Sequence, residues 1–456
     1  MISLPPNLFF GTGIPACIIV LDKENAQDSQ GIFMMDASKS FVKDGNKNRL
    51  REQDIHKIVD VFNRQLEIPK YSRFVPFEEI ADSKNDYNLN IPRYIDSHEE
   101  EDIQDIEAHL LGGIPKRDVE ALSEYWQVYP MLKQKLFEIA DRPGYLKLKI
   151  SIGEVRTYIF DYPEFITYGQ EIQAVFEGWQ AKHTPLLKAI QPGDNPKDII
   201  YSLSEDLLQA FTGKSLIDKY DVYQHLMTYW VESMKDDVYI LVEDGWKADM
   251  KVVRNKKGAV TDFICELIPK ELMINRYFKD QQATIENLEA KRDDIVRKEE
   301  ELQEEHGGEE GLLEEVTNDS RKITPVNVKD RIKKINNNAT FADELKVLKA
   351  YLELIEEESK ITKKIKDRTQ FLDECVLKKY GYLTQDEIQT LVVDDKWMPT
   401  LHQTINSEME RISQRLTQRI KELAERYEAP LPELTSRVDE LTSRVDAHLK
   451  KMGMVR

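Results

Sequence analysis

The sequence predicts a predominantly helical α+β protein, and three features of its apolar residues carry that prediction. Two short apolar runs near the start, at 18–21 and 32–36, indicate strands. Residues 145–272 mix helical and strand-like spacing and are rich in aromatic residues. From about Ile274 onward, apolar residues recur every three or four positions, which is typical of long helices. The expected order is therefore a remnant of an α/β sheet, a small α+β module, long helices with a coiled-coil hairpin, and a C-terminal helical arm.

Residues 1–97 contain the strand block. The run at 18–21 is continuous and mostly β-branched, which is typical of a strand buried on both faces of an α/β sheet. No strand–helix–strand unit precedes it, and two or three strands cannot form such a sheet, so we expect the C-terminal end of a larger domain. Its unpaired strand edge should expose apolar surface and favour self-association. An amphipathic helix is expected over 46–66, with an apolar stripe of Ile55, Ile58, Val59 and Phe62.

The next two segments are expected to be a helical connector, 98–144, and an α+β module, 145–272. The connector has helical spacing on both sides of the pair Gly112-Gly113. In the module, the spacing predicts helices over 199–208 and 220–234. Three apolar runs separated by turn signals then favour an antiparallel meander, with strands at 238–242, 250–253 and 263–265 and turns at 243–245 and 255–258.

Residues 273–381 are expected to form an antiparallel coiled-coil hairpin. The first arm has apolar residues at alternating spacings of three and four, interrupted by Arg292 and Glu299. Its seam is Ile285, Leu288, Ile295 and Leu302, and that of the second arm is Phe341, Leu345, Leu348, Leu352 and Ile355. The two charged residues in the first seam weaken it as a free-standing dimer. An apolar stripe of this kind usually forms core.

Residues 382–456 are predicted to be a C-terminal helical arm. Thr384-Gln385-Asp386-Glu387 has the form of a capping box, and a long helix is expected from about 401 to 427. After Pro430 and Pro432 a seven-residue repeat begins. Its seam consists of Leu434, Val438, Leu441, Val445 and Met452. Because barely three heptads are marginal as an isolated helix in water, this seam needs either another part of the chain or a second protein.

Composition limits the possible functions. The formal net charge is −19, whereas a protein that holds DNA by itself usually presents a basic face. Local clusters such as Lys363, Lys364 and Lys366 are more typical of solvated helix faces. The three cysteines are far apart with no C-x-x-C pair, and we expect no metal site. No apolar stretch approaches the roughly 20 residues that cross a bilayer, so a cytoplasmic protein is expected.

Two glycine-containing motifs resemble nucleotide-binding patterns in residue order but lack a feature that those patterns require. Gly11-Thr12-Gly13-Ile14-Pro15-Ala16 fits G-x-G-x-x-A, but Pro15 and a β-branched run follow it where the dinucleotide fingerprint needs a helix. Gly213-Lys214-Ser215 ends like a phosphate-binding loop, but Leu208 stands where the first glycine of that loop must be. A tight turn is the interpretation of the first motif.

Four stretches, which we call the first to fourth landmarks, have a recognisable residue order. They are Ser3-Leu4-Pro5-Pro6-Asn7-Leu8-Phe9-Phe10-Gly11-Thr12-Gly13-Ile14-Pro15-Ala16-Cys17, Asn85-Asp86-Tyr87-Asn88-Leu89-Asn90-Ile91-Pro92-Arg93-Tyr94, Ile217-Asp218-Lys219-Tyr220-Asp221-Val222-Tyr223-Gln224-His225, and the stretch from Ile420 to Gly453. In this order they resemble modification (M) subunits of type I restriction–modification systems, which methylate adenine at N6 in DNA. The resemblance implies that residues 1–97 close the methyltransferase α/β domain.

The resemblance also implies cofactors and partners. The intact subunit uses S-adenosylmethionine, and its C-terminal helices clasp a specificity (S) subunit that reads the DNA sequence. A second M subunit and double-stranded DNA belong to the assembly, and a restriction (R) subunit is a further candidate partner. The family carries a Gly-containing cofactor loop and an Asn/Asp-Pro-Pro-aromatic motif. Here Pro5-Pro6 follows Leu4 and precedes Asn7, so neither the polar acceptor nor the aromatic residue is in place. We therefore expect no bound cofactor and no methyl transfer from this chain alone.

By resemblance, Asn7, Phe9 and Phe10 are candidates for a target-base pocket, because an aromatic residue late in such domains packs on the flipped adenine. The alternative is that one ring is core and the other caps the sheet edge. Asn88, Asn90 and Arg93 are candidates for the DNA cleft, or for a linker closed by backbone hydrogen bonds. The seam from Leu434 to Met452 is the candidate S-subunit contact. A non-catalytic helical adaptor or scaffold is the alternative function.

Overall fold

The computed structural model of the chain describes residues 1–24, 27–98, 102–254, 260–308, 311–317, 323–336 and 338–452. The chain divides into two compact units. The first unit contains Met1–Tyr239 together with Met398–Arg456, and the second contains Ile240–Trp397. Helices predominate and the sheets are small, so the predicted fold class is confirmed.

The first unit begins with a four-stranded sheet of order β2-β1-β3-β6. Its elements are β1 (Ile2–Ser3), β2 (Cys17–Ile18), β3 (Gly31–Asp36), β4 (Val42–Asp44), β5 (Lys47–Arg49), α1 (Glu52–Arg64), β6 (Ser72–Pro76), α2 (Phe77–Ala81) and a 3-10 helix, Ile91–Arg93. β1 and β3 are parallel, the other pairs are antiparallel, and β4 and β5 form a separate hairpin. Phe33 and Met35 of β3 pack into one core with α1, and Met34 packs into a second core.

The prediction that residues 18–21 form a strand buried on both faces is wrong. β2 contains only Cys17 and Ile18, pairs with β1 at the edge of the sheet, and leaves Ile18 45% and Leu21 89% exposed. The second apolar run is the buried strand, because β3 lies between β1 and β6. The sheet therefore has an exposed apolar edge at β2, as expected; self-association through it stays a prediction.

The helix predicted over 46–66 begins later, at Glu52, because residues 47–49 pair with β4. Its buried apolar residues are Ile58 and Val61, whereas Ile55 and Val59 are exposed. The predicted stripe was therefore rotated from the true inner face.

The chain then forms short helices around a small sheet of order β7-β9-β8, and longer helices follow. These elements are α3 (Ile106–Leu111), β7 (Ile114–Pro115), α4 (Lys116–Glu120), α5 (Ser123–Val128), α6 (Pro130–Leu136), β8 (Phe137–Ile139), β9 (Tyr145–Leu148), a 3-10 helix (Ile152–Glu154), α7 (Val155–Phe160), α8 (Pro163–Lys188), α9 (Pro196–Phe211), α10 (Lys219–Tyr229), a π-helical turn (Trp230–Met234) and α11 (Lys235–Asp244). The connector predicted as helical thus contains strands as well. Gly112 and Gly113 turn the chain there with φ of +75° and +91°, a region that favours glycine.

Residues 238–242 are helical and belong to α11, so the predicted strand there is wrong. Met234, Val238 and Leu241 are fully buried, and their spacing of four and three residues is that of one helix face. Five consecutive apolar residues are compatible with either element, and the buried positions decide for the helix. The remaining two strands form a hairpin rather than a meander; the predicted turn at 255–258 lies outside the described residues.

The second unit is built around a helical hairpin. Its elements are β10 (Met250–Arg254), β11 (Val260–Cys265), α12 (Lys270–Tyr277), α13 (Lys279–His306), a 3-10 helix (Glu314–Val316), α14 (Pro325–Ile335), a 3-10 helix (Ala339–Phe341), α15 (Ala342–Tyr380), α16 (Gln385–Gln389) and a π-helical stretch (Thr390–Trp397). α13 and α15 pack together along their length. Ile295 and Leu348 of the predicted seams are buried, so the coiled-coil hairpin is confirmed.

Two consecutive helices complete the first unit, α17 (Met398–Tyr427) and α18 (Leu431–Lys451). α17 packs against α7, α8 and α10 and buries residues along its whole length, including Leu401, Ile412 and Ile420. α18 contacts α3 but has no buried residue. Gly453, the end of the fourth landmark, lies outside the described residues.

Candidate nucleic-acid and partner-binding surfaces

The loop between β1 and β2, which contains most of the first landmark, is held against the β4–β5 hairpin. Asn48 of β5 donates from its backbone nitrogen to the carbonyl of Asn7 at 3.1 Å, and from Nδ2 to the carbonyl of Pro6 at 2.7 Å. Leu8 packs against the core beneath the loop. Asn7 has a φ of +56°, a left-handed conformation that Asn tolerates better than most residues. The start of the loop is therefore fixed.

Phe9 and Phe10 project from this anchored loop. Their side chains are 52% and 94% exposed, so neither ring is part of the core. Lys47 donates from Nζ to the carbonyl of Phe9 at 3.0 Å, and the same Nζ lies 5.3 Å from the centroid of the Phe10 ring. An exposed aromatic ring can stack with a nucleobase, and a cation beside the ring can attract a phosphate. The assignment of Asn7, Phe9 and Phe10 to a base pocket stays a prediction.

The second landmark forms a turn closed by its own hydrogen bonds. Asn88 accepts from the backbone nitrogen of Asn90 through Oδ1 at 2.9 Å, and its carbonyl accepts from the hydroxyl of Tyr94 at 2.6 Å. Arg93 donates from Nη1 to the carbonyl of Lys84 at 3.0 Å. Asn88 and Arg93 thus make the backbone bonds of the linker alternative. A role of Asn88, Asn90 and Arg93 in DNA binding stays a prediction.

The two sets of predicted residues belong to opposite faces of the sheet. Leu8 packs with the core on one side of β3, whereas Ile91 and Tyr94 pack with the core on the other side. Between the loop residues of the first landmark and Asn88, Asn90 and Arg93, the described part of the chain shows no hydrogen bond or ion pair. The structure therefore does not unite them into one pocket.

The third landmark joins the sheet region to the helices. Asp218 caps α10 by accepting from the backbone nitrogen of Tyr220 at 2.8 Å. Tyr220 and Lys219 donate to Asp60 of α1 at 2.6 and 2.9 Å. Burial opposes the ionisation of Asp60, but the hydrogen bonds from Tyr220 and Lys219 outweigh burial and lower its pKa. This landmark is thus explained by contacts within the chain.

A second set of contacts ties the same landmark to α17. Asp221 accepts from Nε2 of Gln53 at 2.9 Å and pairs with Arg411. Nε2 of His225 lies 2.6 Å from Oε1 of Glu408, which is buried. Burial opposes the ionisation of Glu408 as well, but its bonds to His225 and Arg411 lower its pKa. Nothing in the local spacing predicted this pair, in which Glu408 lies between the apolar residues Ile405 and Met409 of α17.

α18 and Met452, which directly follows it, carry the predicted S-subunit seam, and all five residues of that seam are exposed. Their exposed fractions are 45% for Leu434, 60% for Val438, 48% for Leu441, 55% for Val445 and 71% for Met452. The seam is therefore not covered by the described part of the chain. Of the two alternatives left open by the sequence, docking onto its own chain is not what the structure shows.

Two further kinds of site are absent from the described residues. No group of three or more His, Cys, Asp or Glu side chains there is arranged to hold a metal ion. No helix there is both long enough and apolar enough to pass through a bilayer.

Residues 1–103 match the family model described as N-6 DNA methylase. A methylase subunit of the type I restriction enzyme MjaVII from Methanocaldococcus jannaschii is 37% identical over 130 residues, which are 27% of this chain and 22% of that protein. The corresponding MpnII subunit from Mycoplasma pneumoniae is 38% identical over 106 residues, 23% of this chain and 19% of that protein.

Among solved structures, a type I restriction-modification system methyltransferase subunit from Streptococcus thermophilus is 41% identical, with 21% of this chain and 20% of that chain covered and a TM-score of 0.20. The matched segments span about a fifth of the length of these relatives. The first two landmarks lie within residues 1–103. The resemblance to type I modification subunits is therefore confirmed.

Proposed function

We propose that this chain acts as a modification-subunit component of a type I restriction–modification DNA methyltransferase, in assembly with a specificity subunit and DNA. The observation that carries this proposal is α18, a helix of 21 residues with no buried residue and a continuous apolar seam. The match of residues 1–103 to N-6 DNA methylases supports the family, and the exposed seam supports the need for a partner.

The residues present in the first landmark do not fit a S-adenosylmethionine site. Leu4, which precedes Pro5-Pro6, is buried in the apolar core and offers no polar group to a cofactor or a target amine. The Gly11–Gly13 turn leads into the two-residue strand β2, so no helix N-terminus is available there for the cofactor. We therefore assign no step of methyl transfer to these residues, and the cofactor belongs to the intact subunit of the family.

The chemistry of α18 suits a helical partner. Successive seam residues, Leu434, Val438, Leu441 and Val445, are spaced four, three and four apart, which is the repeat of a coiled coil. Arg437 and Arg444 flank the seam, and Asp439 and Asp446 follow them on the same helix. An exposed apolar stripe edged by charges of both signs is the pattern that pairs with a second amphipathic helix. By the family resemblance, the partner helices would be the helical spacers of a specificity subunit.

The exposed rings of the first landmark are the proposed contact to DNA. Phe9 and Phe10 lie on a loop whose backbone is held by Asn48, so little backbone entropy is lost when a base stacks on the exposed rings. Base–aromatic stacking contributes about 1–3 kcal/mol per base. Lys47 adds a positive charge next to the rings.

The partner contact is tested by charge substitutions in α18. We expect the pair Val438→Asp and Leu441→Asp to abolish co-purification with the specificity subunit, because each places a carboxylate in the apolar seam. The matched control is Ser436→Asp with Ser443→Asp, which adds the same charge to positions off the seam of the same helix. Affinity is measured by calorimetry.

The control pair should bind the specificity subunit like the unmodified chain. If both pairs bind equally well, the seam is not the contact and the proposal fails. If both pairs lose binding, the added charge alone is responsible, and the proposal of a seam contact fails again. Circular dichroism checks that α18 remains helical in each variant.

A non-catalytic helical adaptor is the second candidate, and the net charge of −19 together with the coiled-coil hairpin favours it. Transfer of a labelled methyl group from S-adenosylmethionine to DNA by the assembled complex, with and without this chain, separates the two. Dependence of methylation on Phe9 and Phe10 supports the methyltransferase component. Unchanged methylation after both are replaced by Ala supports the adaptor.

A further inference from the structure

A groove on the first unit collects positive charge in an otherwise acidic chain. It has a volume of about 620 Å³ and lies where α7 meets α17. Its lining residues are Arg156, Arg411, Gln414, Arg415, Thr417, Gln418, Arg419, Lys421 and Glu422. Five of these side chains are cationic and one is anionic, whereas the whole chain has a formal net charge of −19. We call this feature the arginine groove.

Three arginines of the groove form a ladder on α17. Arg411, Arg415 and Arg419 are four residues apart, so each lies one helical turn, about 6 Å, from the next. Like charges at this spacing destabilise a helix by a few tenths of a kcal/mol per pair. The ladder is therefore unfavourable for α17 by itself, and carboxylates of the described residues compensate it only at its two ends.

The outer two arginines are held in place by carboxylates. Arg411 donates from Nε to Glu408 at 2.7 Å and also pairs with Asp221. Arg419 donates from both terminal nitrogens to Asp102, at 3.0 and 2.8 Å. Such pairs fix the guanidinium groups and reduce the rotamer entropy that an incoming ligand must remove.

Arg415 lies between these two arginines on α17 and differs from them in its pairing. Its side chain is exposed, and within the ranges that the structure describes no ion pair or hydrogen bond to it is found. Arg156 of α7 is exposed too, and its guanidinium carbon lies 5.5 Å from the centroid of the Phe160 ring. The groove therefore presents two exposed cations, Arg415 and Arg156, together with two pre-positioned arginines.

We propose that the arginine groove binds the sugar–phosphate backbone of double-stranded DNA without reading its sequence. This proposal rests on the proposed function in that it supplies a second DNA contact for the same subunit. The groove lies outside residues 1–103, which are the part of the chain that matches N-6 DNA methylases.

The lining favours a phosphate backbone over an acidic protein. Guanidinium groups bind phosphate oxygens through two parallel hydrogen bonds. Gln414, Thr417 and Gln418 add neutral polar groups of the kind that contact DNA phosphates and sugars. Protein partners anchor on Trp and Tyr as well as on Arg, and no aliphatic or aromatic side chain of the described residues lines the groove.

The test is fluorescence anisotropy of the full chain with a labelled 30-base-pair duplex, from 50 to 200 mM salt. We expect Arg415→Ala to weaken binding three- to tenfold for any duplex sequence and to reduce the slope of log K against log salt by roughly 1. Arg156→Ala is a second variant in case Arg415→Ala disturbs α17. Arg368→Ala, an exposed arginine of α15, is the matched control and should bind as the unmodified chain does.

Four outcomes would overturn the proposal. The first is that the unmodified chain does not bind the duplex at 50 mM salt. The second is that Arg415→Ala and Arg156→Ala bind it as tightly as the unmodified chain, and the third is that Arg368→Ala loses as much affinity as they do. The fourth is displacement of the duplex by polyglutamate at matched charge. The last would assign the groove to an acidic protein. Because specificity-subunit binding through α18 is measured separately, failure of the groove and failure of the proposed function are distinguishable.

Discussion

α17 and α18 are consecutive helices with equally amphipathic sequences, yet they have opposite environments. α17 is covered by α7, α8 and α10 and buries its apolar face from Met398 to Tyr427. α18 touches α3 and buries none of its residues. Amphipathicity thus shows that a helix has a face to bury, but it does not show whether the same chain supplies the surface.

The polar residues of the two helices sharpen this difference. In α17, buried Glu408 is bonded to His225 and Arg411, so its charge is compensated inside the unit. In α18, Arg437 and Arg444 beside the seam are exposed. A buried helix needs its partners fixed by the fold, whereas an exposed one keeps its charges available for a second protein.

The largest expected effect comes from truncating a core residue of α17. Ile420→Ala should lower the free energy of unfolding by about 2–5 kcal/mol, because Ile420 is fully buried and a cavity remains. The matched change in α18, Leu441→Ala, should alter it by less than about 0.5 kcal/mol. Urea unfolding monitored by circular dichroism measures both. Equal losses would show that α18 is covered by its own chain.

A smaller effect is expected from the buried carboxylate of α17. Glu408→Gln should cost about 1–3 kcal/mol at pH 7, because His225 and Arg411 lose a charged partner. The pKa of Glu408 is lowered by folding, so its stabilisation is present above the ordinary value of 4.5 and is lost as pH falls below it. Unfolding of Glu408→Gln and exposed Glu410→Gln is compared at pH 7 and pH 4. A constant difference between the two pH values would contradict this sign.

The hairpin of the second unit offers the opposite case, a seam with an uncompensated charge. Burial, and then repulsion by Glu358, raise the pKa of Glu299 to about 7. One carboxylate oxygen of Glu299 is buried without a hydrogen-bond partner among the described residues. Tyr351 and Gln303, bonded to each other, stand nearby on the two helices.

Because the folded pKa of Glu299 is raised, its favourable contribution exists below its ordinary value of 4.5 and is lost as pH rises toward about 7. Glu299→Gln should therefore stabilise the second unit at pH 8 by about 1–2 kcal/mol, discounted for partial hydration. At pH 5 it should have little effect. Thermal unfolding at both pH values, with exposed Glu300→Gln as control, tests this. Destabilisation at pH 8 would show that Glu299 has a cationic partner.

The smallest effect is expected at the junction of α17 and α18. The hydroxyl of Tyr427 accepts from the backbone nitrogen of Asp105 at 3.2 Å. The same hydroxyl donates to Oδ2 of Asp118 at 3.4 Å. Because that second bond is long, Tyr427→Phe should lower the free energy of unfolding by about 0.5–1.5 kcal/mol, the usual net value of one hydrogen bond. Hydrogen exchange at Asp105 should accelerate, while specificity-subunit binding through α18 stays unchanged. A loss of that binding would mean that Tyr427 also positions α18.

Local sequence patterns predicted several elements correctly. The capping box at Thr384 is present, with its hydroxyl accepting from the backbone nitrogen of Glu387. The seams of α13 and α15 face each other, and Glu299 within the first seam is the predicted flaw. These predictions are correct because the capping box and the apolar spacing of each seam depend on residues within about two turns of one helix.

The failures share a different cause. Residues 18–21 have the composition of a buried strand but lie at an edge, because burial depends on which strands flank them. Within 238–242, the positions that become buried decide between strand and helix. The arginine groove needs α7 and α17, which are more than 200 residues apart in the sequence, to pack together.

The sequence by itself determined the predominance of helices, the coiled-coil hairpin, the seam of α18 and the resemblance to type I modification subunits, since each rests on local spacing or residue order. Only the tertiary structure decided which faces are covered, that His225 meets Glu408, and that Arg411, Arg415 and Arg419 line a groove. The physical reason is that burial and charge compensation depend on contacts between distant segments, and no local pattern specifies those contacts.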